Sequence, residues 1–191
     1  MKKQLAFLVN SKKCIGCYSC AMACKNQYHQ EKGVVWRKLQ PLGQKDYPHR
    51  DRAFYSLACN HCAAPVCVEV CPVGAHVKRE KDGIVVHSAD KCVYCRQCIE
   101  ACSYGAPADN TSLQRAEKCS MCVERIDAGL LPACVQGCPA GALTLTEITG
   151  EALPDYVKQY PAGFEKFEEL NPSTRFVEAA RPKLVLNEKD L

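Results

Sequence analysis

The spacing of the cysteines constrains this chain more than any other feature of its sequence. Sixteen of the 191 residues are cysteine, and they fall into four groups of four. Every group begins with a gap of two residues and ends with a gap of three, and only the middle gap varies. This regularity indicates an internal repeat. The groups are Cys14, Cys17, Cys20, Cys24; Cys59, Cys62, Cys67, Cys71; Cys92, Cys95, Cys98, Cys102; and Cys119, Cys122, Cys134, Cys138.

The repeat is typical of proteins that bind 4Fe-4S clusters. Such a cluster takes four thiolates, and two-cluster ferredoxins supply them from the pattern C-x2-C-x2-C-x3-C-P. Three cysteines of one loop hold one cluster, and the fourth reaches the neighbouring cluster. Pro72 and Pro139 follow the fourth cysteine of the second and fourth groups, whereas Lys25 and Ser103 stand there in the other two. The first and third groups are therefore less regular versions of the same motif.

The ferredoxin pattern also predicts how the cysteines are divided among four 4Fe-4S clusters. If fourth ligands are exchanged as in two-cluster ferredoxins, every cysteine binds iron and none is left over. The predicted sets are Cys14, Cys17, Cys20 and Cys138 for cluster 1; Cys24, Cys119, Cys122 and Cys134 for cluster 2; Cys59, Cys62, Cys67 and Cys102 for cluster 3; and Cys71, Cys92, Cys95 and Cys98 for cluster 4.

Disulfides and zinc are the structural alternatives for so many cysteines. Disulfide scaffolds are typically short secreted chains, and residues 1–14 lack the small-residue cleavage site of a secretory signal. The fourth group alone, C-x2-C-x11-C-x3-C, resembles a zinc site. Zinc sites do not normally need a third thiol within seven residues of the first, however. The recurrence of the pattern favours iron-sulfur clusters over both alternatives.

Composition and charge exclude other classes of function. Without cysteine, only about 39% of the residues are apolar, so something besides aliphatic side chains must fill part of the interior. The formal charge of +4 counts the cysteines as neutral. Sixteen thiolates around four cores of charge 2+ would bring it to about −4. Since Lys and Arg are also spread along the chain, we expect no nucleic-acid binding.

The sequence offers no site for substrate chemistry. It contains no nucleophile and base arrangement, no phosphate-binding glycine loop and no dinucleotide fingerprint. No apolar run approaches the ~18 residues of a membrane span. We therefore expect a non-catalytic chain, with no catalytic residues and no direct membrane span, which another chain must anchor if it works at a membrane.

The predicted fold is α+β, with two ferredoxin-like two-cluster units, the second inserted within the first. Residues 77–80 and 84–87 are predicted to form a hairpin, and apolar segments before the first cysteine group and after the fourth predict two further strands. The segments SCAMACKNQYH and QCIEACSYGA predict short helices among long loops. Residues 1–58 and 103–149 form the split unit with clusters 1 and 2, residues 59–102 the inserted unit with clusters 3 and 4, and residues 150–191 a C-terminal arm.

Segments outside the cysteine groups allow weaker interpretations. The tail is either an arm packed over the clusters or a partner, or a partly disordered terminus; within it GFEKFEEL predicts one or two helical turns and KLVL a short strand. Residues 27–55, with the sole tryptophan, Trp36, cover a cluster, meet a partner or pack in the core. His61 is interpreted as a structural or potential-tuning residue. The cations beside cysteines either raise potentials, meet an acidic partner or are solvated; they are Lys13, Lys25, Lys91, Arg96 and Lys118.

Four segments together resemble a known family. They are CIGCYSCAMACK, CNHCAAPVCVEVCPVGA, DGIVVHSADKCVYCRQCIEACSYGAP and KCSMCVERIDAGLLPACVQGCPAGAL. They are similar to the four-cluster iron-sulfur subunits of the dimethyl sulfoxide reductase family, including those of polysulfide, thiosulfate and tetrathionate reductases. The resemblance covers about residues 3–147, and all sixteen cysteine positions of that family are cysteine here.

This resemblance implies partners and a location. The partners are a catalytic subunit with a molybdenum or tungsten molybdopterin cofactor and, often, an integral-membrane quinone-binding subunit. The complex would be peripheral on the cytoplasmic membrane, with the outer, periplasmic face favoured and the cytoplasmic face as the alternative. We expect this chain to carry electrons between the two partners in an anaerobic respiratory oxidoreductase. The alternatives are a free-standing polyferredoxin and the small subunit of a soluble molybdopterin enzyme.

Overall fold

Short strands and short helices alternate along the chain in the computed structural model, which describes residues 3–42, 53–149 and 154–178. The strands are β1 Gln4–Asn10, β2 Lys38–Leu42, β3 Ala53–Leu57, β4 His76–Lys78, β5 Val85–His87, β6 Ala108–Asn110, β7 Arg115–Glu117, β8 Leu143–Ile148, β9 Val157–Lys158 and β10 Arg175–Val177. The helices are α1 Ser19–Gln27, α2 Val66–Glu69, α3 Gln97–Ala101, α4 Val123–Asp127 and α5 Ala133–Gln136, with a 3-10 turn at Glu168–Leu170. The predicted α+β class, with short elements, is confirmed.

The main sheet joins distant parts of the sequence. Its strand order is β8-β1-β10-β9, with β1 antiparallel to β8 and parallel to β10. The β1–β8 register runs from Gln4 opposite Ile148 to Val9 opposite Leu143. The β1 sequence QLAFLVN is almost wholly apolar, as expected for a central strand covered on both faces. The strands predicted before the first cysteine group and after the fourth are therefore neighbours.

Three separate hairpins carry the chain between the cysteine groups. The predicted hairpin of residues 77–87 is present as β4 and β5, with His76 opposite His87. Its turn lies against β1, where the Leu5 N–H donates to the Asp82 carbonyl at 2.8 Å. The β2–β3 and β6–β7 hairpins were not predicted from the sequence.

The helices next to the cysteine groups pack in pairs. Both predicted helices are present, as α1 and α3. Helix α1 lies against α5, and α2 lies against α3. Each pair brings together cysteines from two different groups, since α1 contains Cys20 and Cys24 and α5 contains Cys134.

Cysteine forms part of both buried cores. The larger core combines the apolar residues of β1 with cysteines of three groups, including Cys20, Cys59 and Cys119. The smaller core contains Cys67 and Cys98 beside Val85 and Ala116. The expectation that aliphatic side chains alone do not fill the interior agrees with this composition.

The described part of the tail packs against the rest of the chain. Phe176 of β10 is fully buried, with its ring centroid 5.0 Å from that of Tyr55 and 4.9 Å from that of Phe164. The predicted helical turns are reduced to the 3-10 turn, and the predicted KLVL strand lies outside the described residues. Trp36 also packs against the larger core and against Tyr28, as in the core-packing interpretation. None of the helices in the described part of the chain has the length and apolar character needed to cross a bilayer.

Candidate metal centres

Three cavities are each lined by four of the sixteen cysteines. Their volumes, including the solvent-open space at each mouth, are about 360, 390 and 300 Å³, so the three could take occupants of similar size. We call the cysteine sets quartets and number them as the clusters predicted from the sequence. Quartet 1 is Cys14, Cys17, Cys20 and Cys138; quartet 3 is Cys59, Cys62, Cys67 and Cys102; and quartet 4 is Cys71, Cys92, Cys95 and Cys98.

The remaining cysteines also lie together. Quartet 2 consists of Cys24, Cys119, Cys122 and Cys134, and all four are buried. The pKa of Cys24 is raised to about 11, mainly by burial; Arg37 and Gln30 oppose the rise, and the nearby thiols of Cys134 and Cys122 add to it. Burial likewise raises the pKa of Cys119, with Cys24 and Cys134 among the contributing neighbours. The three cavities and this buried group therefore bring neighbouring cysteines together, and the ligand set of each cluster stays a prediction.

A repeated turn supplies hydrogen bonds to the last cysteine of three groups. Each of these cysteines is followed three and four residues later by Gly-Ala, and the alanine N–H faces the cysteine sulfur. The N···S distances are 3.2 Å for Ala75 to Cys71, 3.5 Å for Ala106 to Cys102 and 3.3 Å for Ala142 to Cys138. The glycine has a positive φ in each turn, between 55° and 60°. This C-x2-G-A signal is visible in the sequence and was missed there.

In the first cysteine group, a side chain supplies the hydrogen bond to the last cysteine. No Gly-Ala pair follows Cys24 in the sequence, and helix α1 continues past this cysteine to Gln27. Instead the side chain of Gln30 folds back and its Nε2 donates to the Cys24 sulfur at 3.3 Å and to the Cys24 carbonyl at 3.2 Å. All four groups therefore present an N–H donor to their last sulfur.

Further backbone donors face the other sulfurs. The His61 N–H lies 3.5 Å from Cys59, the Met121 N–H 3.3 Å from Cys119, and the Ala133 N–H 3.4 Å from Cys122. Hydrogen bonds of this kind stabilise the thiolate over the thiol and tune the potential of a bound iron-sulfur cluster.

The charge balance of the quartets calls for a cationic occupant. Burial, reinforced by the neighbouring Cys59, raises the pKa of Cys62 and of Cys67 to about 12. Four ionised thiols in such a place need a positive centre to offset both burial and mutual repulsion. In the described ranges, no three His, Cys, Asp or Glu side chains are placed to hold a single metal ion. The cysteines instead line the walls of cavities, an arrangement that fits a sulfide-bridged cluster with soft thiolate ligands.

Comparison with known proteins agrees with this chemistry. Residues 51–148 match the family described as 4Fe-4S dicluster domain. The sequence is also 39% identical over 151 residues to one component of the anaerobic dimethyl sulfoxide reductase of Escherichia coli, an alignment that covers 75% of this chain and 73% of that protein. The chain belongs to the 4Fe-4S dicluster family. It is thus an iron-sulfur protein, as its cysteine repeat predicts.

Two other relatives align over similar lengths. One subunit of the tetrathionate reductase of Salmonella typhimurium is 40% identical over 152 residues, which cover 77% of this chain but only 59% of that protein. This chain therefore spans less than two thirds of that relative. One subunit of the sulfite dehydrogenase of Allochromatium vinosum is 34% identical over 160 residues, which cover 73% of this chain and 67% of that protein.

The quartets of this dicluster protein form a series from one exposed end to the other. Among the sixteen cysteines only Cys17 of quartet 1 and Cys95 of quartet 4 are exposed. In three of the quartets, one cysteine has a pKa that is raised mainly by burial and also by a thiol of a neighbouring quartet. The pairs are Cys20 with Cys134, Cys119 with Cys59, and Cys67 with Cys98. Cys20, Cys134, Cys119 and Cys59 also share one buried core, and Cys67 and Cys98 share the other, so quartet 1 adjoins quartet 2, quartet 2 adjoins quartet 3, and quartet 3 adjoins quartet 4.

The five cations singled out from the sequence lie in different environments. Lys118 is buried and donates to the carbonyls of Val85 and Cys119. Lys25 donates to two backbone carbonyls, those of Glu31 and Val34, and Arg96 pairs with Asp109 at 2.7 Å. The other two, Lys13 and Lys91, are exposed.

Two further cations beside the quartets, Lys78 and Arg37, were missed from the sequence. Lys78 donates to the Cys62 and Gly83 carbonyls at 2.9 and 2.8 Å. Arg37 is 1% exposed and lies 22 residues before the nearest cysteine that follows it in the chain, so its position beside the quartets has no local sequence signal.

His61 lies in the core as a neutral side chain. Burial lowers its pKa well below the usual range, and Lys118 and Lys78 lower it further. Its Nδ1 accepts a hydrogen bond from the Val85 N–H at 3.0 Å. This contact joins the loop of quartet 3 to β5, which favours the structural interpretation of His61 over a role as an iron ligand.

Proposed function

We propose that this chain is the electron-transfer subunit of an oxidoreductase complex of the dimethyl sulfoxide, tetrathionate or sulfite reductase type. It would pass electrons through four 4Fe-4S clusters between a membrane quinone-linked subunit and a molybdopterin catalytic subunit. One observation carries the proposal. Four cysteine quartets lie in series, and only the two end quartets have an exposed cysteine.

Each quartet would hold one cluster in this proposal. Quartets 1 to 4 supply the ligands of clusters 1 to 4, and the clusters, when bound, accept and release single electrons. The cysteines of one loop and one distant residue bind each site, as expected for a split ferredoxin-like unit, residues 1–58 and 103–149, with a second unit, residues 59–102, inserted in it. The pairing of β1 with β8 supports that arrangement.

The protein contributes insulation and hydrogen bonds. Quartet 2 is wholly buried, and quartet 3 lies beneath the loop of residues 59–67 and the tail residue Leu170. Water is excluded most completely where electrons would only pass through. The exposed Cys17 and Cys95 mark the two places where a partner could approach an end cluster.

The names of the relatives support a multi-subunit setting. The relatives from tetrathionate reductase, dimethyl sulfoxide reductase and sulfite dehydrogenase are each named as one component of a larger enzyme. In our proposal this chain likewise does no catalysis and relies on a molybdopterin partner. A quinone-binding membrane partner would hold the complex at the cytoplasmic membrane, with the periplasmic face favoured and the cytoplasmic face as the alternative.

Turnover of the purified complex tests the electron path. Replacing Cys98 of quartet 4 by serine should abolish quinol-driven turnover, while an artificial donor that reduces the catalytic subunit directly still works. Ser103→Ala is the matched control, since Ser103 is exposed and follows Cys102 in the same loop. Full quinol turnover in a Cys98→Ser complex that lacks cluster 4 by EPR would reject the proposal.

The alternatives predict different masses and couplings. A free-standing polyferredoxin would elute from native extract near its own mass of 21.1 kDa. A small subunit of a soluble molybdopterin enzyme would elute with its partner but show no turnover with quinol. The electron-transfer subunit should elute with both partners from detergent extract.

A further inference from the structure

Arg37 places a positive charge in the interior of the protein. The residue is 1% exposed, and its guanidinium carbon lies 4.3 Å from the centre of the Phe7 ring on β1. Burying a charge costs free energy unless the charge is paired or hydrogen-bonded, so the groups around the guanidinium indicate the role of Arg37.

The hydrogen bonds of Arg37 are incomplete among the described residues. Its Nη1 donates to the carbonyl and to the hydroxyl of Ser56, both at 3.1 Å. Its Nε and Nη2 are buried and have no oxygen or nitrogen partner in the described part of the chain, and the side chain is directed at the Cys134 sulfur, whose pKa it lowers by charge and by hydrogen bonding. No carboxylate there forms an ion pair with it. The counter-charge must therefore come from another kind of group.

The groups around the guanidinium are cysteine thiols of two quartets. Its charge lowers the pKa of Cys20 in quartet 1 and of Cys24, Cys119 and Cys134 in quartet 2, against the larger effect of burial. In return these thiols keep the pKa of Arg37 raised although burial acts to lower it. The Phe7 ring, on which Arg37 lies, belongs to the same buried core as Cys119 and Cys134 of quartet 2, so the packing also places the guanidinium beside that quartet.

Ser56 connects Arg37 to quartet 1. The Ser56 hydroxyl lies 3.2 Å from the Cys20 sulfur. Because its oxygen accepts a hydrogen bond from Arg37, the hydroxyl proton is free to point at the sulfur. A chain of donors then runs from the cation through Ser56 to Cys20, and charge-assisted hydrogen bonds of this kind are stronger than neutral ones.

We propose that Arg37 is a positioning residue that raises the reduction potential of cluster 2 directly and that of cluster 1 through Ser56. The inference rests on the proposed function, since it assigns quartets 1 and 2 to clusters. An electron added to either cluster adds negative charge beside a fixed, desolvated cation, which stabilises the reduced form. Local charge and hydrogen bonds to sulfur are established means of setting such potentials.

Potentiometric EPR on the anaerobically purified full-length chain in its complex tests this inference. Signals are first assigned with Cys17→Ser for cluster 1 and Cys122→Ser for cluster 2. Arg37→Met should then lower the equilibrium constant for reduction of cluster 2 about tenfold, a shift of about 59 mV for one electron. Arg37→Lys, which keeps the charge, should recover most of that shift.

Ser56→Ala separates the effect of Arg37 on cluster 1, which runs through Ser56, from its direct effect on cluster 2. This variant remains informative even if Arg37→Met does not fold. It should lower the reduction constant of cluster 1 by about fivefold, the value of one hydrogen bond, and leave cluster 2 unchanged. Lys13→Met is the matched control, because Lys13 precedes Cys14 but is exposed and screened by solvent. We expect it to change either constant less than about twofold.

The outcomes distinguish this inference from the proposed function. Iron and sulfide near zero in the wild-type complex would refute both. Four assembled clusters with unchanged potentials in Arg37→Met would refute only the role of Arg37. If Arg37→Met does not assemble, unchanged cluster 1 potentials in Ser56→Ala, or equal shifts in Lys13→Met, would refute it instead.

Discussion

Phe176→Ala should release the tail from the loop of quartet 3 and make cluster 3 the first to lose iron. Phe176 is fully buried in β10 and packs against Tyr55 and Phe164. Truncating a buried phenylalanine to alanine typically costs about 3–5 kcal/mol. Since about 1.4 kcal/mol is a factor of ten, the population with an open tail should rise by about two to four orders of magnitude.

The effect should be local because, within the described residues, the tail is hydrogen-bonded to β1, to Ser11 and to a single cysteine loop, that of quartet 3. The Ser173 N–H donates to the Asn60 carbonyl at 2.9 Å, and the Ser173 hydroxyl donates to the His61 carbonyl at 2.7 Å. The N–H groups of Ala63 and Ala64 donate back to the tail at 2.9 and 3.3 Å. These residues lie between Cys59 and Cys67, so an open tail exposes cluster 3 to solvent.

The assay is the loss of each cluster from the anaerobic complex in the presence of an iron chelator, followed by EPR. Tyr156→Ala is the matched control, because Tyr156 is an aromatic residue of the same tail that is 64% exposed. It should leave all four loss rates close to those of the wild type. Loss of cluster 1 before cluster 3 in Phe176→Ala, or rates equal to the wild type, would refute the reasoning.

Three further predictions concern single residues, each checked by anaerobic denaturant unfolding. Gly16→Ala should lower the free energy of unfolding by about 1–3 kcal/mol more than Gly74→Ala. Both glycines have a positive φ, but a Cβ at Gly16 would lie 2.5 Å from a phenylalanine ring, whereas Gly74 faces open space. Equal losses in the two variants would contradict this. His61→Phe should cost about 1–3 kcal/mol by leaving a buried N–H unpaired, yet retain full iron content; lost iron would argue for a ligand role. Hydrogen bonds from Arg79 and then Lys81 hold the pKa of Asp127 well below its usual range. A carboxyl group with a lowered pKa stabilises the folded state at pH values above its pKa in the unfolded chain. The difference in denaturant midpoint between wild type and Asp127→Asn should therefore stay constant from pH 7 to 5 and shrink below about pH 4. It should also disappear in high salt.

The sequence predicts those parts of the fold that depend on spacing and local pattern. The strands β1 and β8, the hairpin β4–β5 and the helices α1 and α3 follow from apolar runs and turn residues close to the cysteines. The ferredoxin spacing predicts four quartets, and three of them line one cavity each, although which cluster each cysteine ligates stays a prediction. Local pattern is sufficient for the strands and helices, whereas the long-range part of the quartets comes from the ligand exchange that the ferredoxin repeat implies.

The features that the sequence does not predict depend on contacts between distant residues. Strand β10 lies beside β1 although about 165 residues separate them, and the three-residue segment RFV has no periodicity that indicates a parallel partner. Arg37 is likewise an ordinary arginine until the fold buries it against Phe7 and Ser56. The C-x2-G-A turn is different, since its signal was available in the sequence and shows that small residues after a cysteine can be as informative as the cysteine itself.

The composition of the core links folding to cluster assembly. Cysteines occupy positions in both buried cores that aliphatic side chains would fill in an ordinary domain of this size. Burial raises the pKa of Cys98 to about 11, and Cys62 and Cys67 reach about 12. A core of ionised thiols cannot be stable without a positive occupant, and neutral thiols that line cavities pack less closely than the aliphatic side chains of an ordinary core. Stable packing and iron-sulfur binding are therefore parts of one equilibrium, as in other small metal-dependent domains.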